Sequence, residues 1–143
     1  MDLIQEIIDR AKAQPQHIVF PEGTEERTLK AADRLLRDNV VKLTLIGDPY
    51  AIRSRAHDLG LKHVLNANLL DPKNHEKKQA YIDLLLELRG SKGVTPEKAA
   101  LLVEDPLYLA CLMIKAGDAD GELAGAINST GDVLRPALQI VKT

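Results

Sequence analysis

Two spacings of apolar residues alternate along the chain. Leu3, Ile4, Ile7, Ile8 and Ala11 recur at helical spacing and predict a helix over residues 2–13, which Pro15 ends. His17-Ile18-Val19-Phe20 is a short β-rich run stopped by the turn Pro21-Glu22-Gly23. Thr24 can cap the next helix, which has Glu25 and Glu26 in its first turn, Leu29, Ala32, Leu35 and Leu36 on its apolar face, and Asn39 at its end. Val41 to Ile46 reads as a second strand, closed by Gly47-Asp48-Pro49. A helix from about Pro49 to Leu59 follows, then a short third strand at His63-Val64-Leu65 and a polar loop from Asn66 to Asn74. His75 to Leu88 is a helix with Tyr81, Leu84, Leu85 and Leu88 on one side. Thr95-Pro96 and Asp105-Pro106 are helix starts, a cap followed by proline at the first position, and Gly117 ends the second of these helices.

The last stretch carries the most chemistry. Leu123-Ala124-Gly125-Ala126-Ile127 predicts a buried strand, and Asn128-Ser129-Thr130-Gly131-Asp132 predicts a polar turn. Val133, Leu134, Ala137, Leu138 and Val141 then return to helical spacing. Hydroxyls and backbone N–H groups would meet at the start of that helix, where its dipole favours an anion. Ser129-x-x-Asp132 is equally a capping box, which needs no ligand. Arg135 precedes Pro136, which biases its backbone away from the helical region. If the helix starts at Pro136, Arg135 sits at the mouth of the turn with its planar fork available to a phosphate or carboxylate.

Strands alternating with helices imply a mostly parallel sheet between helical layers, a three-layer α/β/α sandwich. Ligands in such sheets bind beyond the carboxyl ends of the strands. Three turns should gather there: Pro21-Glu22-Gly23, Gly47-Asp48-Pro49 and Asn128 to Asp132. Glu22, in one of those turns, is the carboxylate singled out as a substrate-binding candidate.

Composition narrows the function. The chain's 143 residues suffice for one domain with a core, and the formal net charge of -2 with scattered basic residues speaks against nucleic acid and anionic membranes. The single cysteine, Cys111, lies in the apolar run Leu107 to Ile114 and reads as a buried hydrophobe; with no export signal it points to the cytoplasm. No apolar run approaches membrane-spanning length. His17, His57, His63 and His75 lack metal-ligand spacing, so no metal site is expected. There is no G-x-G-x-x-G after the first strand, no Walker loop and no G-x-S-x-G elbow. The chain stops in an amphipathic helix, which suggests the front part of something longer.

The final stretch, Ala119-Asp120-Gly121 followed by GAINSTGDVLRPALQIVKT, resembles the signature of phosphate acetyltransferases (phosphotransacetylases). Phe20-Pro21-Glu22-Gly23 followed by Glu26-Arg27 and Leu29-Lys30-Ala31-Ala32 resembles their N-terminal motif, as Leu86-Glu87-Leu88-Arg89 followed by Lys92-Gly93 resembles a middle one. The blocks keep the family's order and spacing over essentially all 143 residues.

The resemblance implies an isocitrate/isopropylmalate dehydrogenase-like fold, with residues 1–143 as the N-terminal domain of a two-domain enzyme. It implies the reaction acetyl-CoA plus phosphate to CoA plus acetyl phosphate, CoA and acetyl-CoA being substrates, with no permanently bound cofactor and a homodimer when full length. It assigns catalytic roles to Arg135 and Ser129 and substrate contacts to Thr130, Gly131, Arg89 and Glu22. Arg89 matches a family arginine implicated in CoA binding. Asn128 stands where many relatives carry histidine or another ring, and is assigned no catalytic role. The family's general base, an aspartate, lies in a later half, so this piece is expected to be inactive alone. Phosphate butyryltransferase, and a non-catalytic acyl-CoA-sensing domain as in long malic enzymes, share the fold and parts of the motifs and are the alternatives.

Overall fold

The structure, a computed structural model, describes residues 6, 9, 12–124 and 128–141. The helix expected over residues 2–13 falls largely outside these; Glu6, Asp9, Lys12 and Ala13, which are described, are helical. Among the described residues, four parallel strands form one sheet in the order β3-β2-β1-β4: β1 Gln16–Phe20, β2 Val41–Ile46, β3 Asn68–Leu70 and β4 Gly121–Glu122. After the N-terminal helical residues, the helices described are α1 Glu26–Arg37, α2 Pro49–Asp58, α3 Lys78–Arg89, α4 Pro96–Leu102, α5 Pro106–Lys115 and α6 Thr130–Pro136.

Strand alternation sends side chains to two apolar layers. Phe20, Leu43 and Leu45 pack with Leu29 and Ala32 of α1, Ile52 and Ala56 of α2, and Val64. Val19 and Ile46 face the other way, onto Tyr81 and Leu85 of α3, Ala99 of α4 and the buried run Leu109 to Met113 of α5. The three-layer α/β/α sandwich is therefore as expected.

Helix starts follow the sequence closely. Asp48, Thr95 and Asp105 each sit before a proline and accept a backbone N–H from Tyr50, Lys98 and Leu107 respectively. Each such cap contributes about 1 kcal/mol. At α1 the cap is Glu25 rather than Thr24; its carboxylate accepts Thr28 N–H at 2.8 Å.

The third and fourth strands differ from expectation. His63–Asn66 is a 3₁₀ turn, pinned where Asp33 accepts Val64 N–H at 2.9 Å. The third strand instead comes from the loop expected at 66–74: Asn68, Leu69 and Leu70 pair with Thr44, Leu45 and Ile46. Apolar Leu69 and Leu70 gain burial there that the polar flanks do not need. The fourth strand lies two residues before the expected Leu123 to Ile127. Gly121 and Glu122 pair with Ile18 and Val19, whereas Leu123 is 57% exposed. Residues 125–127 lie outside the described ones.

Helix α6 begins at Thr130, not at Pro136, which lies inside it. Proline has no N–H to continue the helical ladder, and the chain passes into a wider π-type turn, Ala137–Val141. Arg135 consequently sits in the last turn of α6 and not at the mouth of the preceding turn.

Candidate functional site

The carboxyl ends of the strands are stepped together by backbone bonds. Gly23 N–H donates to Ile46 C=O at 3.1 Å, and Gly47 N–H donates to Leu70 C=O at 3.0 Å. Gly23 has no room for a side chain: a Cβ there would lie 2.4 Å from the Ile46 carbonyl oxygen. The close approach presses the turn Pro21-Glu22-Gly23 against the end of β2.

Glu22 is 4% exposed. Its Oε2 accepts both the backbone N–H and the side-chain amide N–H of Asn128, each at 2.9 Å. These residues lie 106 positions apart in the chain. Their bond ties the first turn to the residue before the α6 cap. The first two turns therefore gather as the sequence suggested, joined by Asn128 alone from the third. Pro21, Glu22, Gly23, Gly47, Asp48 and Asn128 line a cleft of about 360 Å³, with Asp105, Pro106 and Leu107 of α5 on its wall. A larger cavity, about 480 Å³, lies at the opposite end of the sheet, lined by His17, Asn68, Tyr81 and Asp118. We place the site at the carboxyl ends, because that is where turns, caps and strand ends converge.

Ser129 is the cap of α6, and its hydroxyl accepts Asp132 N–H at 3.1 Å. The capping role is thus real, and it leaves the hydroxyl proton available. Thr130 and Gly131 are exposed in the first turn of α6. Neither they nor Ser129 line the 360 Å³ cleft, so the structure divides the candidate residues between two places.

The second place is around Tyr108 of α5. Arg89 ends α3, and its Nε is buried with no hydrogen-bond partner. The Arg135 side chain is 63% exposed and stands 3.7 Å from Asp132, a loose pair in a solvated position. Tyr108 OH donates to Gln139 Oε1 at 3.0 Å. Burial first, then Asp105, push the Tyr108 phenol up, while Arg135 and Arg89 pull it back down. Among the described contacts Arg89 forms no ion pair, and Arg135 forms only the loose one with Asp132.

A third feature lies beneath the sheet end. Cys111 is fully buried and its Sγ donates to Glu122 Oε1 at 3.5 Å. Burial, then the Glu122 carboxyl, push the Cys111 thiol up to about 12. Burial also pushes Glu122 up, opposed by the Cys111 bond and reinforced by the charge of Glu22. Cys111 is thus a poor nucleophile at neutral pH. Among the described residues no cluster of three metal-ligating side chains occurs.

Sequence reasoning singles out Glu22, Ser129, Thr130, Gly131, Arg89 and Arg135 but misses Tyr108, Gln139 and Glu122, and it gives no role to Asn128. Tyr108 sits in an apolar helical run and carries no local signal. The Asn128 amide can be matched to Glu22 only by knowing that the two turns meet.

Comparison with known proteins places the chain among named relatives. The family profile described as "Phosphate acetyl/butaryl transferase" matches residues 2–143. Phosphate acetyltransferase from Thermoanaerobacterium thermosaccharolyticum is 46% identical over 143 residues, covering 100% of this chain and 43% of the relative. The Clostridium acetobutylicum phosphate acetyltransferase is 42% identical, again over 100% of this chain and 43% of its own length. Among solved structures, the EutD phosphotransacetylase from Staphylococcus aureus superposes with a TM-score of 0.90 at 37% identity, covering 99% of this chain and 42% of that one. A phosphotransacetylase from Streptococcus pyogenes gives 0.91 at 31% identity, covering 100% and 44%. The chain thus spans less than half the length of these relatives. With the match running through every element of the sandwich and the turns at its carboxyl edge, the chain belongs to the phosphate acetyl/butaryl transferase family.

Proposed function

We propose that this chain is the N-terminal α/β domain of a phosphate acetyltransferase, which moves an acetyl group reversibly between CoA and phosphate. The observation that carries the proposal is the family match over residues 2–143, at 46% identity to a protein named phosphate acetyltransferase. The relatives reported above carry the acetyl name, which favours acetyl over butyryl transfer.

In the direction of acetyl-CoA synthesis, a base takes the thiol proton of CoA and the thiolate attacks the carbonyl carbon of acetyl phosphate. The C–S bond forms, the bond from carbon to phosphate oxygen breaks, and phosphate leaves. Such a reaction needs a base, donors for the developing oxyanion, and cations for phosphate. Arg135 and Arg89 are the cations we assign to the phosphate-bearing substrates. Ser129 and Thr130 hydroxyls, with the N–H groups about Gly131, are the donors we assign to a carbonyl or phosphate oxygen. Glu22 orients this turn through Asn128, which supports a role as a positioning residue more than a direct contact. The base we assign to the part of the enzyme beyond this domain. An acyl-enzyme on Cys111 is disfavoured by its burial and raised pKa, which supports direct transfer between the two bound substrates.

The reading extends to a homodimer, for which the exposed apolar side chains of Leu134 and Leu138 leave room, and to a cytoplasmic setting, consistent with the free thiol of Cys111. Among the described residues no helix is long and apolar enough to cross a membrane. The test is Arg135→Ala and Arg135→Lys in the protein made from the whole reading frame. Turnover should fall far more than stability in the alanine variant, and lysine should not rescue it, because a point charge cannot replace the fork. Near-normal turnover in the lysine variant would remove the two-pronged role.

A further inference from the structure

We propose that the cavity of about 480 Å³ at the amino end of the sheet binds an uncharged purine, as nucleoside or free base, at a site separate from the carboxyl edge. The inference goes beyond acetyl transfer and uses none of the residues assigned to it. Its walls are fixed by turns and bonds. Gly117, at a left-handed φ of 83°, ends α5, and Asp118 N–H turns back to donate to Met113 C=O at 2.8 Å. Both carboxylate oxygens of Asp118 are then engaged: Oδ1 accepts Lys77 Nζ at 2.8 Å and Oδ2 accepts the Tyr81 hydroxyl at 2.5 Å. With Asp118 matched by Lys77, Glu76 is the carboxylate left over, exposed at the rim, and it opposes an anionic ligand. The His75 ring adds no charge, because burial and then Lys78 push its pKa down against Asp71. Tyr81 and Met113 are buried and give the cavity an aromatic and a thioether face, and the His75 ring stands 5.8 Å from that of Tyr81 at 43°. Those surfaces favour a flat, polarisable ligand. Two groups give direction. His75 Nε2 is buried without a hydrogen-bond partner, a costly state that a ligand nitrogen relieves. Asn68 donates one amide N–H to Thr44 Oγ1 at 3.3 Å, and the same oxygen lies 2.7 Å from His17 Nε2, so the amide is held in place. Its Oδ1 and second N–H remain, the acceptor and donor that an amide offers to the amino group and ring nitrogen of adenine. A bicyclic base with its sugar suits this volume, since small-molecule sites usually measure about 300–1,000 Å³.

The experiment adds adenosine to the protein made from its whole reading frame and reads binding by calorimetry and by the histidine ring resonances in NMR. Adenosine should bind with a Kd at or below about 1 mM and shift the His75 resonances, leaving those of exposed His57 on α2 unmoved. His75→Phe keeps a ring and removes its nitrogens, and Asn68→Asp replaces the amide donor by a carboxylate. Each should weaken adenosine about tenfold with little change in melting temperature. Saturating CoA should leave adenosine affinity within about twofold, since the two ends of the sheet are separate sites. Absence of adenosine binding, or binding that leaves the His75 resonances unmoved, would overturn the proposal whether or not the variants fold. Full affinity in His75→Phe would overturn it too, as would displacement of adenosine by CoA, which would place adenosine in the substrate site. Adenosine monophosphate should bind more weakly than adenosine; tighter binding would overturn the uncharged class of ligand.

Discussion

Removing the Glu22 carboxylate should loosen the whole carboxyl edge of the sheet. Glu22→Ala takes away two N–H···O bonds of 2.9 Å, one from the backbone and one from the side chain of Asn128. A bond to a charged group contributes about 1.5–3 kcal/mol, so two bound the loss from above at about 3–6 kcal/mol. Part of that is offset, because the wild type keeps a carboxylate at 4% exposure and desolvating it is costly. Asn128 is only half-buried, so water can reach its freed donors. The net loss expected is about 2–3 kcal/mol. Asn128→Ala removes only the side-chain bond, since its backbone N–H still donates, and should cost about 1–1.5 kcal/mol. The double variant should lose little more than Glu22→Ala alone, giving a coupling of about 1 kcal/mol. Urea unfolding at pH 7 followed by circular dichroism measures all four corners of the cycle. Costs that simply add, within about 0.5 kcal/mol, would show that the two residues do not hold each other and that the turn is fixed by something else.

Other outcomes follow from the buried pair below the turn. Cys111 should resist thiol reagents in the native protein and react within the time of unfolding, because it is buried and its thiol is pushed up to about 12; rapid labelling of folded protein would contradict this. Glu122 binds its proton more tightly in the folded state, so its contribution falls as pH rises above the ordinary value of 4.5 towards the raised one. Glu122→Gln should therefore gain on wild type in urea midpoint as pH is raised through that window. A constant difference between about pH 4 and pH 8 would refute the assignment. For Arg135, the alanine variant should lose turnover while its melting temperature moves by no more than a few degrees, as suits a largely exposed side chain.

Much of the fold is legible in the sequence because its signals are local. Asp48-Pro49, Thr95-Pro96 and Asp105-Pro106 announce helix starts through chemistry contained within three or four residues. Runs such as Val41 to Ile46 announce a strand by composition. The third strand escapes such a reading because Asn68–Leu70 has only three residues and becomes a strand by pairing with β2, a partner that no local pattern reveals. The fourth is shifted for a related reason: Gly121 and Glu122 pair with β1 at the edge of the sheet, while the more strand-like Leu123 is left exposed. At the site, the turns are legible but the bonds between them are not. Glu22 stands out in the sequence and Asn128 is given no role, because their joining depends on a long-range approach that Gly23 makes possible. The helix start at Thr130 overrides the backbone bias before Pro136, since the Ser129 cap and Asp132 supply a complete N-terminus ahead of Val133 and Leu134.

The most direct test of the central claim is acyl transfer from acetyl phosphate to CoA, followed as thioester formation, by the uninterrupted product of the reading frame that contains these 143 residues. The account predicts robust thioester formation that requires both substrates. A folded product that binds acetyl-CoA but forms no thioester would contradict it and leave a sensing domain built on the same fold.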